Sequence, residues 1–98
     1  MLVHFVLFKL IAEDEEAKKE ARDAIEAALK KVPKLKEPEF GQPALPQNSK
    51  GYDFGFFARF ADRAALKEHA DSDEHKKAQD VILPRVKSGE TLDYDLEY

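Results

Sequence analysis

The run Leu2 to Leu10 is apolar on both faces of a strand, and few folds accommodate such a segment. Side chains alternate along a strand, so Val3, Phe5 and Leu7 point one way while Val6, Phe8 and Leu10 point the other. A strand with one wet side alternates apolar with polar residues, and this one does not. Tyr52 to Phe60 repeats the pattern, with Phe54 and Phe56 opposed to Phe57. A sheet built around these strands needs a layer on each side.

The rest of the chain supplies one of those layers. A helix beginning near Asp14 as N-cap carries the stripe Ala17, Ala21, Ile25, Ala28, Leu29 and Val32, and Pro33 stops it. A weaker strand is predicted over Glu39 to Leu45, with Pro43 implying an edge position or a bulge. Pro43 to Gly51 reads as a loop. After the third strand, Ala61 to His69 reads as a short helix and Asp73 to Leu83 as another, with Ala78, Val81 and Ile82 spaced for one buried face. Pro84 ends or kinks it, and Glu90 to Tyr98 forms a fourth strand. The order βαββαβ is that of a ferredoxin-like α+β sandwich in one domain over residues 1–98. Two helices cover only one side of four strands, so a second copy of the sheet is the economical cover for the other. In the fourth strand Leu92, Tyr94, Leu96 and Tyr98 alternate with Thr91, Asp93, Asp95 and Glu97, but the alternation does not say which row faces which layer.

Charge and composition exclude several function classes. Twenty acidic against sixteen basic residues give a net charge of −4, and the lysines are scattered among glutamates, so nucleic acid and anionic membrane are not expected partners. The opening apolar run is too short to span a bilayer and lacks the flanks of a secretory signal, which points to a cytoplasmic protein. The absence of cysteine excludes disulfides, thiolate catalysis and thiolate metal sites. No GxSxG motif or glycine-rich phosphate loop is present, Ser49, Ser72 and Ser88 sit at expected turns or caps, and no cofactor is indicated.

The chemistry-bearing segment is His69-Ala-Asp-Ser-Asp-Glu-His75, which holds two of the three histidines. In one continuous helix, histidines six residues apart would diverge by about 120°. Ser72 is a natural N-cap between two helices, and the break it makes allows convergence. His75 falls near the third position of the second helix, where the macrodipole favours the neutral ring and Asp73 and Glu74 oppose it. His69 is expected on an exposed helix end. The set His69, Asp71, Asp73, Glu74 and His75 offers metal-ligand atoms but no recognised ligand spacing, and its acids serve the helix start, so metal is expected to play no role in this protein. The aromatics Phe54, Phe56, Phe57 and Phe60 suit a core first and a planar ligand second.

The ordered set of local features resembles the stress-responsive dimeric α/β-barrel (Dabb) family along its whole length. His4-Phe-Val-Leu-Phe-Lys9 opens it, Val32-Pro33-x-Leu35-Lys36 followed by Gly41 ends the first helix, and Gly51-Tyr52 begins the third strand. Phe60-x-Asp62-x-x-Ala65-Leu66 leads into His75, and Asp93-Tyr94 marks the last strand. The resemblance implies a homodimer whose two sheets face each other in a barrel, with a pocket in each subunit between helices and sheet. His4, Val6, Phe8, Ile25, Phe54 and Phe56 are its expected walls.

Members of the family carry a pattern like Tyr-x-x-His-Pro-x-His before the last helix, and a plant polyketide cyclase similar to the family uses the final histidine as base and the tyrosine as helper. The final histidine corresponds to His75; the tyrosine position holds His69, the first histidine is replaced by Ser72 and the proline by Asp73. The resemblance therefore implies a protein of unassigned activity that binds a small hydrophobic molecule. Its alternatives are a cofactor-independent acid-base enzyme using His75 with His69 or His4 assisting, and a dimeric-barrel monooxygenase. Loss of the tyrosine argues against the cyclase reaction itself.

Overall fold

The computed structural model describes residues 1–33 and 35–98. Its elements in chain order are β1 (Leu2–Phe8), α1 (Glu15–Lys30), β2 (Lys36–Gly41), β3 (Phe54–Phe60), α2 (Arg63–Asp71), α3 (Asp73–Ile82) and β4 (Leu92–Glu97), with 3₁₀ turns at Pro46–Asn48 and Leu83–Arg85. The strands form one antiparallel sheet in the order β2-β3-β1-β4, the ferredoxin-like arrangement expected from the βαββαβ order. Among the described residues no helix is long and apolar enough to cross a membrane.

Each helix starts where its sequence provides an acceptor for orphan N–H groups. The Ala17 N–H donates to Asp14 Oδ1, the Ala65 N–H to Asp62 Oδ1 and the His75 N–H to Ser72 Oγ. Ala21, Ile25 and Leu29 of α1 and Ala78 and Ile82 of α3 pack onto Leu2, Val6, Phe8, Phe54, Phe56, Ala58 and Phe60 of the two central strands. Val81, expected beside Ala78 and Ile82, is only half-buried.

Two boundaries move for physical reasons. The second strand runs over Lys36–Gly41, earlier than the expected Glu39 to Leu45. It is an edge strand and it carries a bulge, but the irregularity lies between Lys36 and Glu39, where Glu37 takes φ 49° ahead of Pro38. Pro43 lies beyond the strand, in a loop whose later residues meet Leu7, Gly55 and Leu92 around a hollow of about 420 Å³. The first helix after β3 starts at Arg63, two residues later than expected, because Asp62 is its cap.

Register settles the orientation of β4. Val6 faces Asp93, His4 faces Asp95, Phe5 faces Tyr94 and Leu7 faces Leu92. The acidic row Asp93 and Asp95 therefore lies on the helix side, and the apolar row Leu92, Tyr94 and Leu96 joins Val3, Phe5, Leu7 and Phe57 on the side without helices. Tyr94 is 57% exposed there.

Candidate functional site

All three histidines of the chain converge on the helix-facing side of the sheet. Ring centroids are 5.9 Å apart for His4 and His69 and 5.0 Å for His69 and His75. His4 comes from the middle of β1, and Phe56 and Phe60 of β3 meet its ring edge to face. His69 and His75 come from opposite sides of the α2–α3 break. The Ser72 hydroxyl donates to the His69 carbonyl at 2.8 Å and accepts the His75 N–H at 3.1 Å, so one side chain holds both backbones.

His69 is not on an exposed helix end, as its sequence position suggests; it is 1% exposed, among the most deeply buried side chains of the molecule. The reason is the break itself, because beyond it α3 packs against α2 and brings His75 onto the His69 ring at 5.0 Å, while Phe60 packs against that ring at 5.1 Å. Burial, aided by His75 and His4, pulls the pKa of His69 from its ordinary 6.5 down to about 4, against the opposing pull of its hydrogen bond to the Pro33 backbone and of Asp95. Its Nδ1 is buried without a partner. With Nδ1 unpartnered, the pull of the Pro33 carbonyl falls on Nε2 and favours the tautomer with its proton there, which leaves Nδ1 a lone pair. Burial likewise lowers His75, helped by His4 and opposed by Asp93. Both rings are neutral at pH 7.

Asp93 and Asp95 project from β4 beside His4. His4 Nδ1 donates to Asp95 Oδ1 at 2.5 Å and lies 3.5 Å from Asp93 Oδ1. A carboxylate only accepts, so this contact fixes the proton of a neutral His4 on Nδ1. Burial raises the pKa of Asp93, as does the charge of Asp95, while His4 and His75 lower it.

These groups surround a cavity of about 180 Å³ between α1, α3 and the sheet. Its walls include His4, Val6, Phe8 and Phe56 together with His69 and His75. Leu29, Ile82 and Val86 complete the apolar lining, and the exposed Gln79, Leu83, Thr91 and Asp93 form the mouth. Ile25 and Phe54 do not touch this cavity: Ile25 is fully buried in the core under α1, and Phe54 lies against Phe8 and Phe40. Sequence reasoning missed Asp93 and Asp95. The period-two alternation in β4 put them on one face, and only the pairing with β1 shows that this face carries His4.

The sequence model of the stress-responsive A/B barrel domain matches residues 2–96. No curated protein matches the chain significantly. Solved structures do. A Dabb family protein with a ferredoxin-like fold from Mesorhizobium loti is 24% identical, with a TM-score of 0.81 over 99% of this chain and 95% of that one. A dimeric ferredoxin-like protein of unknown function from Jannaschia is 29% identical, with a TM-score of 0.74 over 99% and 98%. A dimeric protein of unknown function and ferredoxin-like fold from Bacteroides fragilis is 22% identical, with a TM-score of 0.78 over 99% and 95%.

Proposed function

The chain belongs to the stress-responsive A/B barrel domain family, and we propose that it acts as a homodimer binding a compact hydrophobic molecule with one hydrogen-bonding group. The observation that carries this reading is the pair of neutral imidazoles set beside the apolar wall of Val6, Phe8, Leu29, Phe56, Ile82 and Val86 in one cavity. A cavity of roughly 150 Å³ lined by apolar side chains takes up benzene, so about 180 Å³ suits a single ring. A neutral imidazole nitrogen in such a wall accepts a hydrogen bond from a hydroxyl and leaves the rest of the ligand to dispersion and burial. A phenol combines both features. The dimer rests on the apolar helix-free face of the sheet and on structural neighbours described as dimeric. The absence of cysteine and of a basic surface stripe supports a cytoplasmic protein that acts on neither nucleic acid nor membrane, in the stress-associated role the family's description carries.

Phenol and toluene test the reading as probes of equal size. Titration followed by backbone amide shifts should show phenol binding tighter than toluene, with shifts centred on Val6, His75 and Ile82. In His75→Leu the preference should vanish while toluene still binds. Absence of shifts at the cavity walls with either probe would reject it.

A second reading has its own support, since Asp93 is pushed toward its protonated form and His75 toward its neutral one on the same cavity wall. Such a pair suits removal of a proton next to a carbonyl and its return to oxygen. Enzyme-dependent exchange of deuterium into the position next to the carbonyl of cyclohexanone, lost in His75→Leu, would establish this activity; exchange at the buffer rate would dismiss it.

A further inference from the structure

We propose that His4, Asp93 and Asp95 form a binding site for one divalent transition-metal ion, zinc by preference, at the edge of the cavity. One ligand-type atom from each residue lies within 4.8 Å of the other two, and they are the group of this kind that the described residues assemble. The sequence, judged on residues 69–75, predicts no metal role anywhere in the chain; the set proposed here joins positions 4, 93 and 95 through strand pairing, which spacing along the chain does not reveal. The His4 Nδ1 to Asp93 Oδ1 separation of 3.5 Å is what two ligands of a tetrahedral ion bonded at roughly 2.0–2.2 Å would have. The closer Asp95 oxygen has to withdraw by about 1 Å as the ion replaces the proton between it and His4.

Two independent observations point the same way. Asp93 and Asp95 stand two residues apart on one face of an edge strand, so their charges repel, and a cation between them removes that repulsion. The second observation concerns the imidazole. When Nδ1 binds a metal, the His4 proton moves to Nε2, and metal-bound histidines almost always donate that N–H to an acceptor. The adjoining ring is His69, 1% exposed, whose Nδ1 lone pair has no partner. That nitrogen makes no hydrogen bond in this structure, with His4 or any other group, so the two rings must close on one another for it to become the acceptor such an arrangement requires. Three protein ligands leave a coordination position open, and His4 and Asp93 both line the cavity, so the open position belongs to water or to the polar end of a ligand. A nitrogen ligand among the three favours zinc or cobalt over magnesium.

The probe is the metal alone, added to protein stripped with chelator. Calorimetric titration with zinc should give one equivalent per chain and a higher melting temperature, with magnesium producing neither at the same concentration. Cobalt(II) should develop a visible absorption band of nitrogen and oxygen coordination. Asp93→Asn should weaken zinc binding at least tenfold, and Asp93→Asn/Asp95→Asn should abolish both the heat and the cobalt band. Asp93 is exposed enough for its single variant to fold, which circular dichroism in chelator verifies independently. Unsaturable zinc binding, or a stoichiometric site that survives in the double variant, overturns the proposal. Phenol binding measured in chelator is a separate readout, so failure of the metal site and failure of the cavity reading remain distinct.

Discussion

The imidazole rings of His69 and His75 lie 5.0 Å apart at an interplanar angle of 65°, although they belong to different helices. Their separation of six residues would turn them about 120° apart on a continuous helix. The extended backbone of Ser72, at φ −68° and ψ 151°, interrupts the helix and brings them together. The same break buries His69 and gives the cavity its polar corner.

Stability should fall as the solution is acidified from pH 6.5 toward pH 4. His69 titrates near 6.5 unfolded and about 4 folded, so the unfolded chain binds more protons in this window and protonation favours unfolding. Above the unfolded value the effect is absent; below both values it approaches roughly 3 kcal/mol. Urea unfolding in chelator at pH 7.5, 5.5 and 4.5 measures it, and His69→Leu should show a shallower pH dependence whatever its baseline. An unchanged slope would mean that His69 does not stay neutral on folding.

Ser72→Ala should cost about 1 kcal/mol through the lost cap of α3. It should also weaken phenol binding, because both histidine backbones lose their shared anchor. Thermal melts and the phenol titration report the two effects separately. Stability loss with unaltered affinity would show that packing alone positions the rings.

Phe5→Asp or Leu7→Asp should weaken the proposed dimer, since an unpaired carboxylate on the helix-free face that a second sheet would bury costs several kcal/mol. Light scattering at micromolar concentration decides the matter. A wild-type monomer under those conditions would refute the dimer directly.

Ile25→Val should lower stability by about 0.5–1.5 kcal/mol and leave ligand affinity unchanged, because Ile25 is core and not cavity wall. Phe56→Leu should change both, since Phe56 belongs to each. Equal losses of affinity in the two variants would return Ile25 to the site.

Local sequence determined the elements and their order. Asp14 and Ser72 cap helices because their side-chain oxygens accept nearby N–H groups within three residues, and the stripe from Ala21 to Leu29 is a property of helical period alone. The two-sided apolarity of β1 and β3 likewise called for a cover on the helix-free face before any pairing was known, and the ordered local features carried the family resemblance. Three things were decided only by tertiary structure. Strand register, fixed by hydrogen bonds between residues roughly ninety positions apart, set Asp95 against His4 and turned the apolar row of β4 to the helix-free face. Packing of His75 from α3 and of Phe60 from β3 against its ring buried a histidine that local sequence places at a helix end. The bulge at Glu37, just before Pro38, gave β2 an earlier span than its own residues suggest. Capping and periodicity act over a few residues and are written in the chain locally, whereas register and burial depend on which distant surfaces meet.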